Sequence, residues 1–160
     1  MPRTIYLVRH ATSEGTRHNQ ASFGPKGGAL TETGVQEAKA IRNQFVKLGI
    51  NVETEPVATS QAKRTFDTAR YAGFQHISKY TSLNEAGNGL TPEVLDDMLK
   101  NTQAPPAAVA AAQKLLKHPP KEIIWITHGQ VIAGIARVLG IPSSELFIPK
   151  MGTITKLELP

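Results

Sequence analysis

Three apolar runs in this sequence end in residues that can do chemistry. They are Leu7-Val8-Arg9-His10, Val57-Ala58-Thr59-Ser60 and Trp125-Ile126-Thr127-His128-Gly129. Arg64 follows the second run by about one helical turn. Ligands bind beyond the carboxyl ends of the strands in open α/β sheets. We therefore expect two histidines and two arginines, distant in sequence, to meet at one site.

These four side chains favour chemistry on a phosphoryl group. A guanidinium presents a planar fork of donors that matches phosphate oxygens in pairs. The helix expected after Gly129 would add backbone N–H groups with partial positive charge. An imidazole held in one tautomer offers its other nitrogen as a nucleophile. The set predicts phosphoryl transfer to histidine with no metal and no cofactor, because the cations can neutralise the developing charge.

The elements that position these residues alternate between strands and helices. Periodicity, with Gly and Pro as boundaries, predicts strands over 4–8, 56–59, 77–80, 122–127 and 153–159. It predicts helices over 62–71, 107–116 and 131–139. Two further helices are expected to start at 31–34 and at 91–93. Thr31 is the expected N-cap of the first helix, and Gly49 and Gly140 are expected helix ends. This order predicts one α/β domain over residues 1–160, a three-layer αβα arrangement with a mostly parallel central sheet and an edge C-terminal strand.

Composition narrows the class further. The 160 residues contain no cysteine, which excludes disulfides, thiolate metal sites and cysteine nucleophiles. We find neither an apolar run long enough to cross a membrane nor the pattern of a signal peptide, so we expect a cytoplasmic protein without a membrane partner. Lys and Arg outnumber Asp and Glu by 18 to 13, which favours an anionic ligand. Only 6% of residues are aromatic, so stacking platforms for nucleic acid are scarce.

Four segments in order along the chain resemble one family. Leu7-Val8-Arg9-His10-Ala11 resembles the Arg-His-Gly signature of the histidine phosphatase superfamily, the phosphoglycerate mutase-like proteins. The segment 30–38 is similar to its Leu-Thr-x-x-Gly-x-x-Gln-Ala pattern, and Thr127-His128-Gly129 is similar to its late Ser/Thr-His-Gly. Its Ser-x-x-x-Arg-x-x-x-Thr-Ala pattern is matched by Ser60, Arg64, Thr68 and Ala69.

The resemblance implies a role for each matched position. His10 would be the nucleophile that forms a phosphohistidine, and Arg9, Arg64 and His128 would hold the phosphoryl group. Many members place an acid in a Leu-x-Glu segment, which makes Glu85 the candidate proton donor here. The alternatives are Glu14 and no carboxylate at all, since the short phosphohistidine-type members often lack the usual acid.

Several positions depart from the family pattern. The phosphate-binding Asn is replaced by Thr16, so that either Asn19 substitutes for it or the contact is lost. Gln61-Ala62 replaces Pro-Leu, Ala11 replaces the commoner Gly, and Thr12 stands where a Glu is common.

We therefore predict a phosphatase that acts on an anionic phosphorylated substrate, either a small molecule or a phosphoprotein. The short chain favours hydrolysis, because a mutase must keep water from its phosphoenzyme and 160 residues leave little room for a lid. On this argument the chain is most similar to the short phosphatase members. A phosphoglycerate mutase and a non-catalytic phosphate-binding module are the alternatives. The sequence predicts neither the physiological substrate nor the oligomeric state.

Overall fold

A five-stranded sheet forms the centre of the part of the chain that the structure describes. The computed structural model describes residues 3–13, 29–84, 106–141 and 151–160. The strands are β1 (Arg3–Arg9), β2 (Val57–Thr59), β3 (Ile77–Lys79), β4 (Ile124–Thr127) and β5 (Ile154–Leu159). They lie in the order β3-β2-β4-β1-β5, and β5 runs antiparallel to β1 while the other pairs are parallel. The predicted mostly parallel sheet with a C-terminal edge strand is confirmed.

Helices cover both faces of this sheet. They are α1 (Glu32–Lys47), α2 (Lys63–Tyr71), α3 (Pro106–Lys117) and α4 (Gly129–Leu139), and a short 3-10 helix spans Thr81–Leu83. Side chains alternate between the two faces along each strand. Trp125 of β4 packs in a core with residues of α3 and α4, whereas its neighbours Ile124 and Ile126 pack with residues of α1 and α2. The predicted three-layer αβα arrangement is therefore confirmed.

The sheet register brings the chemical segments to one edge. Arg9 of β1 lies opposite Thr127 of β4, and Thr59 of β2 lies opposite Ile126 of β4. Because these three strands are parallel, the residues that follow them leave the sheet on the same side. His10, Ser60 and His128 are those residues.

The helix termini agree with the signals in the sequence. Thr31 has extended backbone and its Oγ1 accepts a hydrogen bond from the Gly34 N–H at 3.0 Å, so it caps α1 as predicted. Gly49 and Gly140 follow α1 and α4 with φ of 79° and 70°, the left-handed conformation in which glycine is least strained.

Some predicted boundaries are wrong by two residues. β4 begins at Ile124 rather than Glu122, because the Glu122 carbonyl accepts a hydrogen bond from the Trp125 indole N–H at 2.7 Å instead of joining the ladder. Helix α4 begins at Gly129 rather than Val131, directly after His128. The helix start predicted at 91–93 lies outside the described residues.

None of the helices in the described ranges combines the length and the apolar character that a membrane crossing requires.

Helices α3 and α4 pack closely at Gly134. A β-carbon at this position would lie 2.5 Å from the Ala108 carbonyl oxygen, which no packed structure tolerates without movement. We expect Gly134→Ala to push the two helices apart and to lower the free energy of unfolding by about 1–3 kcal/mol. Urea unfolding measures the loss. The control is Gln113→Ala on the exposed side of α3, which should change stability by less than about 0.5 kcal/mol; equal effects of the two substitutions would contradict the close packing.

Candidate active site

His10 follows β1 and is held in one tautomer. Only 3% of the residue is exposed, and its backbone N–H donates to the Thr127 carbonyl at 3.0 Å. The imidazole Nδ1 lies 2.8 Å from the Ala11 carbonyl oxygen. A carbonyl oxygen can only accept, so Nδ1 carries the proton and donates it. The neutral ring therefore has its unshared electron pair on Nε2, the nitrogen that can act as a nucleophile.

The surroundings of His10 keep the imidazole neutral. Burial is the main cause that lowers the pKa of His10 from its ordinary value of 6.5 to about 3, and the charges of Arg64 and Arg9 lower the pKa further. The hydrogen bond to Ala11 opposes this shift because it favours the protonated ring. At neutral pH the Nε2 electron pair is therefore available for attack.

His128 follows β4 and lies edge-on to His10. The two ring centroids are 5.3 Å apart, at an interplanar angle of 64°. A guanidinium can only donate, so Nη2 of Arg64, at 3.3 Å, donates to Nδ1 of His128. The other ring nitrogen, Nε2, carries the proton of the neutral ring and donates to the Ser60 hydroxyl oxygen at 2.9 Å. Burial, with the neighbouring His10 and both arginines, lowers the pKa of His128 well below 6.5.

A chain of hydroxyl groups fixes the direction of these hydrogen bonds. The Thr65 hydroxyl lies 2.9 Å from the Ala62 carbonyl and 3.2 Å from the Ser60 carbonyl, so it donates to backbone. It therefore accepts from the Ser60 hydroxyl, 2.7 Å away, and Ser60 can accept from His128. Thr65 was not among the residues selected from the sequence, where only its place beside Arg64 singles it out.

The two arginines supply the positive charge of the site. Arg64 stands in the first turn of α2 and is 7% exposed. Arg9 is the last residue of β1. Nη2 of Arg64 lies 3.3 Å from Nδ1 of His128, and Arg9 directly precedes His10 in the chain. The charges of both arginines lower the pKa values of both histidines. The structure thus brings together the four residues selected from the sequence.

The backbone that follows His10 is held by side chains from two helices. The Ala11 N–H donates to the Thr68 hydroxyl of α2 at 3.0 Å, and the Thr12 N–H donates to the Glu37 carboxylate of α1 at 2.8 Å. The Thr12 carbonyl accepts from the N–H of Thr31 at 3.1 Å. Glu37 was not a candidate from the sequence, although it lies within the segment that resembles a family motif.

The segment that leads to Glu85 is attached beside His128. The Thr127 hydroxyl donates to the Leu83 carbonyl at 2.7 Å. Asn84 and Gln61 form two reciprocal hydrogen bonds of 2.8 Å, one between side chains and one from the Gln61 N–H to the Asn84 side-chain oxygen. Glu85 itself, the alternative acid Glu14, and the segment with Asn19 lie outside the described residues, so their roles stay predictions.

Within the ranges that the structure describes, no group of three or more His, Asp or Glu side chains is arranged to hold a metal ion.

A comparison with family models identifies the chain. The model of the histidine phosphatase superfamily (branch 1) matches residues 5–109 of the 160. The chain belongs to the histidine phosphatase superfamily. The matched range includes His10 and Arg64, and His128 lies beyond it. No curated protein sequence matches this chain.

Solved structures share the fold of this histidine phosphatase superfamily member. The product of open reading frame Rv3214 from Mycobacterium tuberculosis is 22% identical, with a TM-score of 0.68 over 96% of this chain and 90% of that one. TTHB049 from Thermus thermophilus is 22% identical, with a TM-score of 0.69 over 97% and 93%. A phosphoglycerate mutase from the same organism is 22% identical, with a TM-score of 0.69 over 97% and 92%.

The Gln61-Ala62 departure from the superfamily pattern has a structural counterpart. Gln61 in place of Pro provides both the N–H and the amide that pair with Asn84. A proline at residue 61 would have no N–H to donate. In this member of the superfamily the departure therefore ties the end of β2 to the segment that precedes Glu85.

The lowered pKa of His10 predicts how stability depends on pH. The ring titrates near 6.5 in the unfolded chain and at about 3 in the folded one, so the unfolded state binds more protons between these values. The contribution of His10 to the free energy of unfolding is fully present above pH 6.5 and is lost as the pH falls toward 3. We expect a loss of about 2 kcal/mol between pH 7 and pH 5 from His10 alone.

Urea unfolding at pH 7, 6 and 5 measures this loss, with His10→Gln as the control that cannot titrate. The wild-type protein should lose more stability than the variant by this amount. Parallel pH dependences of the two proteins would contradict the neutral, buried state of His10.

Proposed function

We propose that this protein is a phosphatase that hydrolyses phosphomonoesters or protein phosphohistidine through a phosphohistidine intermediate on His10. The single observation that carries the proposal is the hydrogen bond from His10 Nδ1 to the Ala11 carbonyl, which leaves Nε2 unprotonated beside two arginines. Membership of the superfamily supports phosphoryl chemistry in general. The tautomer, the low pKa of His10 and the adjacent cations support an attack by this nitrogen on phosphorus.

The first step is attack of the Nε2 electron pair on the phosphorus atom of the bound substrate. The N–P bond forms as the bond from phosphorus to the leaving oxygen or nitrogen breaks. Arg9 and Arg64 stabilise the charge on the phosphoryl oxygens, and the N-terminus of α4 adds its partial positive charge. Phosphorylation makes the imidazole cationic, and the proton on Nδ1 stays in its hydrogen bond to Ala11.

His128 orients Arg64 in this proposal and also responds to the substrate. With the site empty, its Nδ1 accepts from Arg64 while Nε2 donates to Ser60. The negative charge of a bound phosphate opposes the effect of the arginines on the pKa of His128 and favours the protonated ring. A proton on Nδ1 then turns this nitrogen from an acceptor into a donor toward a phosphoryl oxygen.

A proton must reach the leaving oxygen of an ester substrate, and we assign this step to Glu85. The assignment is supported by the anchored position of the two preceding residues: the Leu83 carbonyl accepts from the Thr127 hydroxyl, and Asn84 pairs with Gln61. In the second step the resulting carboxylate takes a proton from water as the water oxygen attacks phosphorus. The N–P bond breaks, inorganic phosphate forms, and His10 and the acid return to their first states.

The remaining expectations belong to the same proposal. The net charge of +5 and the arginines support an anionic phosphorylated partner rather than nucleic acid. We propose that the mechanism needs no metal, because the arginine charges can stabilise the developing charge. We also propose a cytoplasmic location.

Phosphoglycerate mutase activity is the second candidate, favoured by the Thermus thermophilus structure named as such. The chain covers 92% of that protein, so chain length does not separate the two activities. The two differ in the fate of the phosphoryl group: a phosphatase passes it to water, and a mutase returns it to a hydroxyl of the substrate. Incubation with phosphoglycerate isomers, with phosphate release and isomer interconversion measured together, distinguishes them.

Substitution of the nucleophile tests the mechanism. We expect His10→Ala to abolish turnover of p-nitrophenyl phosphate and of phosphohistidine peptides, because no other group takes over attack in a site built for one nucleophile. Turnover by the wild-type protein should not change in EDTA. The control is His76→Ala, which removes an exposed histidine and should leave turnover unchanged.

Turnover that survives in His10→Ala would contradict the mechanism. A wild-type protein that binds phosphate but turns over none of these substrates would indicate the non-catalytic module.

Glu85→Gln tests the acid. The variant keeps the size of the side chain and cannot donate the proton, so we expect kcat for an alkyl phosphate ester to fall by roughly 100- to 10,000-fold. Phosphohistidine peptides should be affected less, because their leaving nitrogen is more easily protonated. Steady-state kinetics on both substrates measure the difference. An unchanged rate on the ester would assign the acid to another residue, with Glu14→Gln as the next variant.

A further inference from the structure

One peptide group connects the His10 imidazole to a carboxylate on α1. The Ala11 carbonyl accepts from His10 Nδ1 at 2.8 Å. The N–H of the same planar peptide belongs to Thr12 and donates to Oε1 of Glu37, also at 2.8 Å. The ring, the peptide and the carboxylate therefore form a continuous chain of two hydrogen bonds with a single direction.

The orientation of this peptide decides which nitrogen of His10 is free. If the peptide turned, the Ala11 carbonyl would leave Nδ1 and the ring could carry its proton on Nε2, where it blocks attack. A carboxylate is a stronger acceptor than water or a neutral group, and it resists such a turn. It also polarises the peptide and so strengthens the bond at the other end.

Glu37 is itself held firmly in place. A β-carbon at Gly152 would lie 3.3 Å from Cβ of Glu37, so residue 152 packs against the stem of this side chain. The Gly152 N–H donates to the Arg9 carbonyl at 3.0 Å. Gly34, one turn earlier on α1, lies so near the Thr12 carbonyl that a β-carbon would collide with it. Helix α1 thus contacts the backbone after His10 directly, and Gly152 connects it to the backbone before His10.

We propose that Glu37 is a positioning residue for the nucleophile, which acts through the Ala11–Thr12 peptide to keep the proton of His10 on Nδ1. The inference rests on the proposed function only for its effect on catalysis. Glu37 does not touch the reacting atoms, and its contribution is to hold the peptide that selects the tautomer.

The same chain stabilises the positive charge that develops on the imidazole when Nε2 is phosphorylated. The charges of Arg64 and Arg9 disfavour a cation on the His10 ring, and the hydrogen bond to the Ala11 carbonyl favours one. In this proposal the negative charge of the Glu37 carboxylate, at the far end of the peptide, strengthens that hydrogen bond.

Two variants of nearly equal length separate the hydrogen bond from simple packing. Glu37→Gln keeps an oxygen acceptor for the Thr12 N–H, and Glu37→Met keeps the stem against Gly152 but has no oxygen. Each is measured by two-bond ¹H–¹⁵N correlation of the His10 ring and by steady-state and burst kinetics with p-nitrophenyl phosphate.

We expect the wild-type protein and Glu37→Gln to show the Nδ1–H tautomer, and Glu37→Met to show a mixture with the Nε2–H form. We expect Glu37→Met to lower kcat and the rate of phosphoenzyme formation roughly 10- to 100-fold, because the nucleophile is misplaced. KM should change little, because the arginines that bind phosphate are untouched, and Glu37→Gln should recover most of the rate.

Equal tautomers and equal rates in the two variants would overturn the proposal, since packing alone would then account for Glu37. If the wild-type protein forms no phosphoenzyme, the proposed function fails, and the tautomer measurement still decides the role of Glu37. Even without a phosphoenzyme, equal tautomers of His10 in Glu37→Met and in the wild-type protein would overturn the positioning role of Glu37.

Discussion

The hydrogen bond from His10 Nδ1 to the Ala11 carbonyl is the interaction on which the chemistry of this site depends. An imidazole has two nitrogens and, when neutral, one proton, so a nucleophile exists only where that proton is fixed elsewhere. The carbonyl that fixes it belongs to the next residue in the chain, which makes the arrangement local. The orientation of this carbonyl is fixed by residues distant in sequence, because Thr68 of α2 and Glu37 of α1 hold the peptide groups on either side of Ala11.

Burial and positive charge both lower the pKa of His10 and keep its imidazole neutral. Removal from water and the nearby guanidinium groups both disfavour a protonated His10, so the neutral nucleophile coexists with two cations at neutral pH. As a consequence the folded protein loses stability in acid, because the unfolded chain takes up protons that the folded site excludes. In the proposed function the same cations attract a phosphate, whose charge then opposes their effect on the histidines. On this proposal an empty site that disfavours an imidazolium becomes, with substrate bound, a site that stabilises one.

The sequence was sufficient to predict the sheet and the convergence of His10, Arg64 and His128, because these residues follow apolar strands whose parallel order places their ends together. It was not sufficient to predict the Ser60–Thr65 hydroxyl chain or the contact of Glu37 with Thr12. Those contacts depend on how helices pack against strand ends, a distance of 25 residues along the chain for Thr12 and Glu37. The start of β4 was also misplaced, because the indole N–H of Trp125, three residues along the chain, donates to the Glu122 carbonyl. Hydrolysis and mutase chemistry share their first step, so the residues that perform this step do not separate the two.

The position of the phosphoryl group on the His10 ring is the most direct test of this account. The protein is mixed with p-nitrophenyl phosphate, quenched in alkaline denaturant within one turnover, and its phosphohistidine is assigned by ³¹P NMR and by peptide mapping. Because Nδ1 is committed to Ala11, the account predicts phosphate on Nε2 of His10. Phosphate on Nδ1 of His10, or on any other residue, would contradict it.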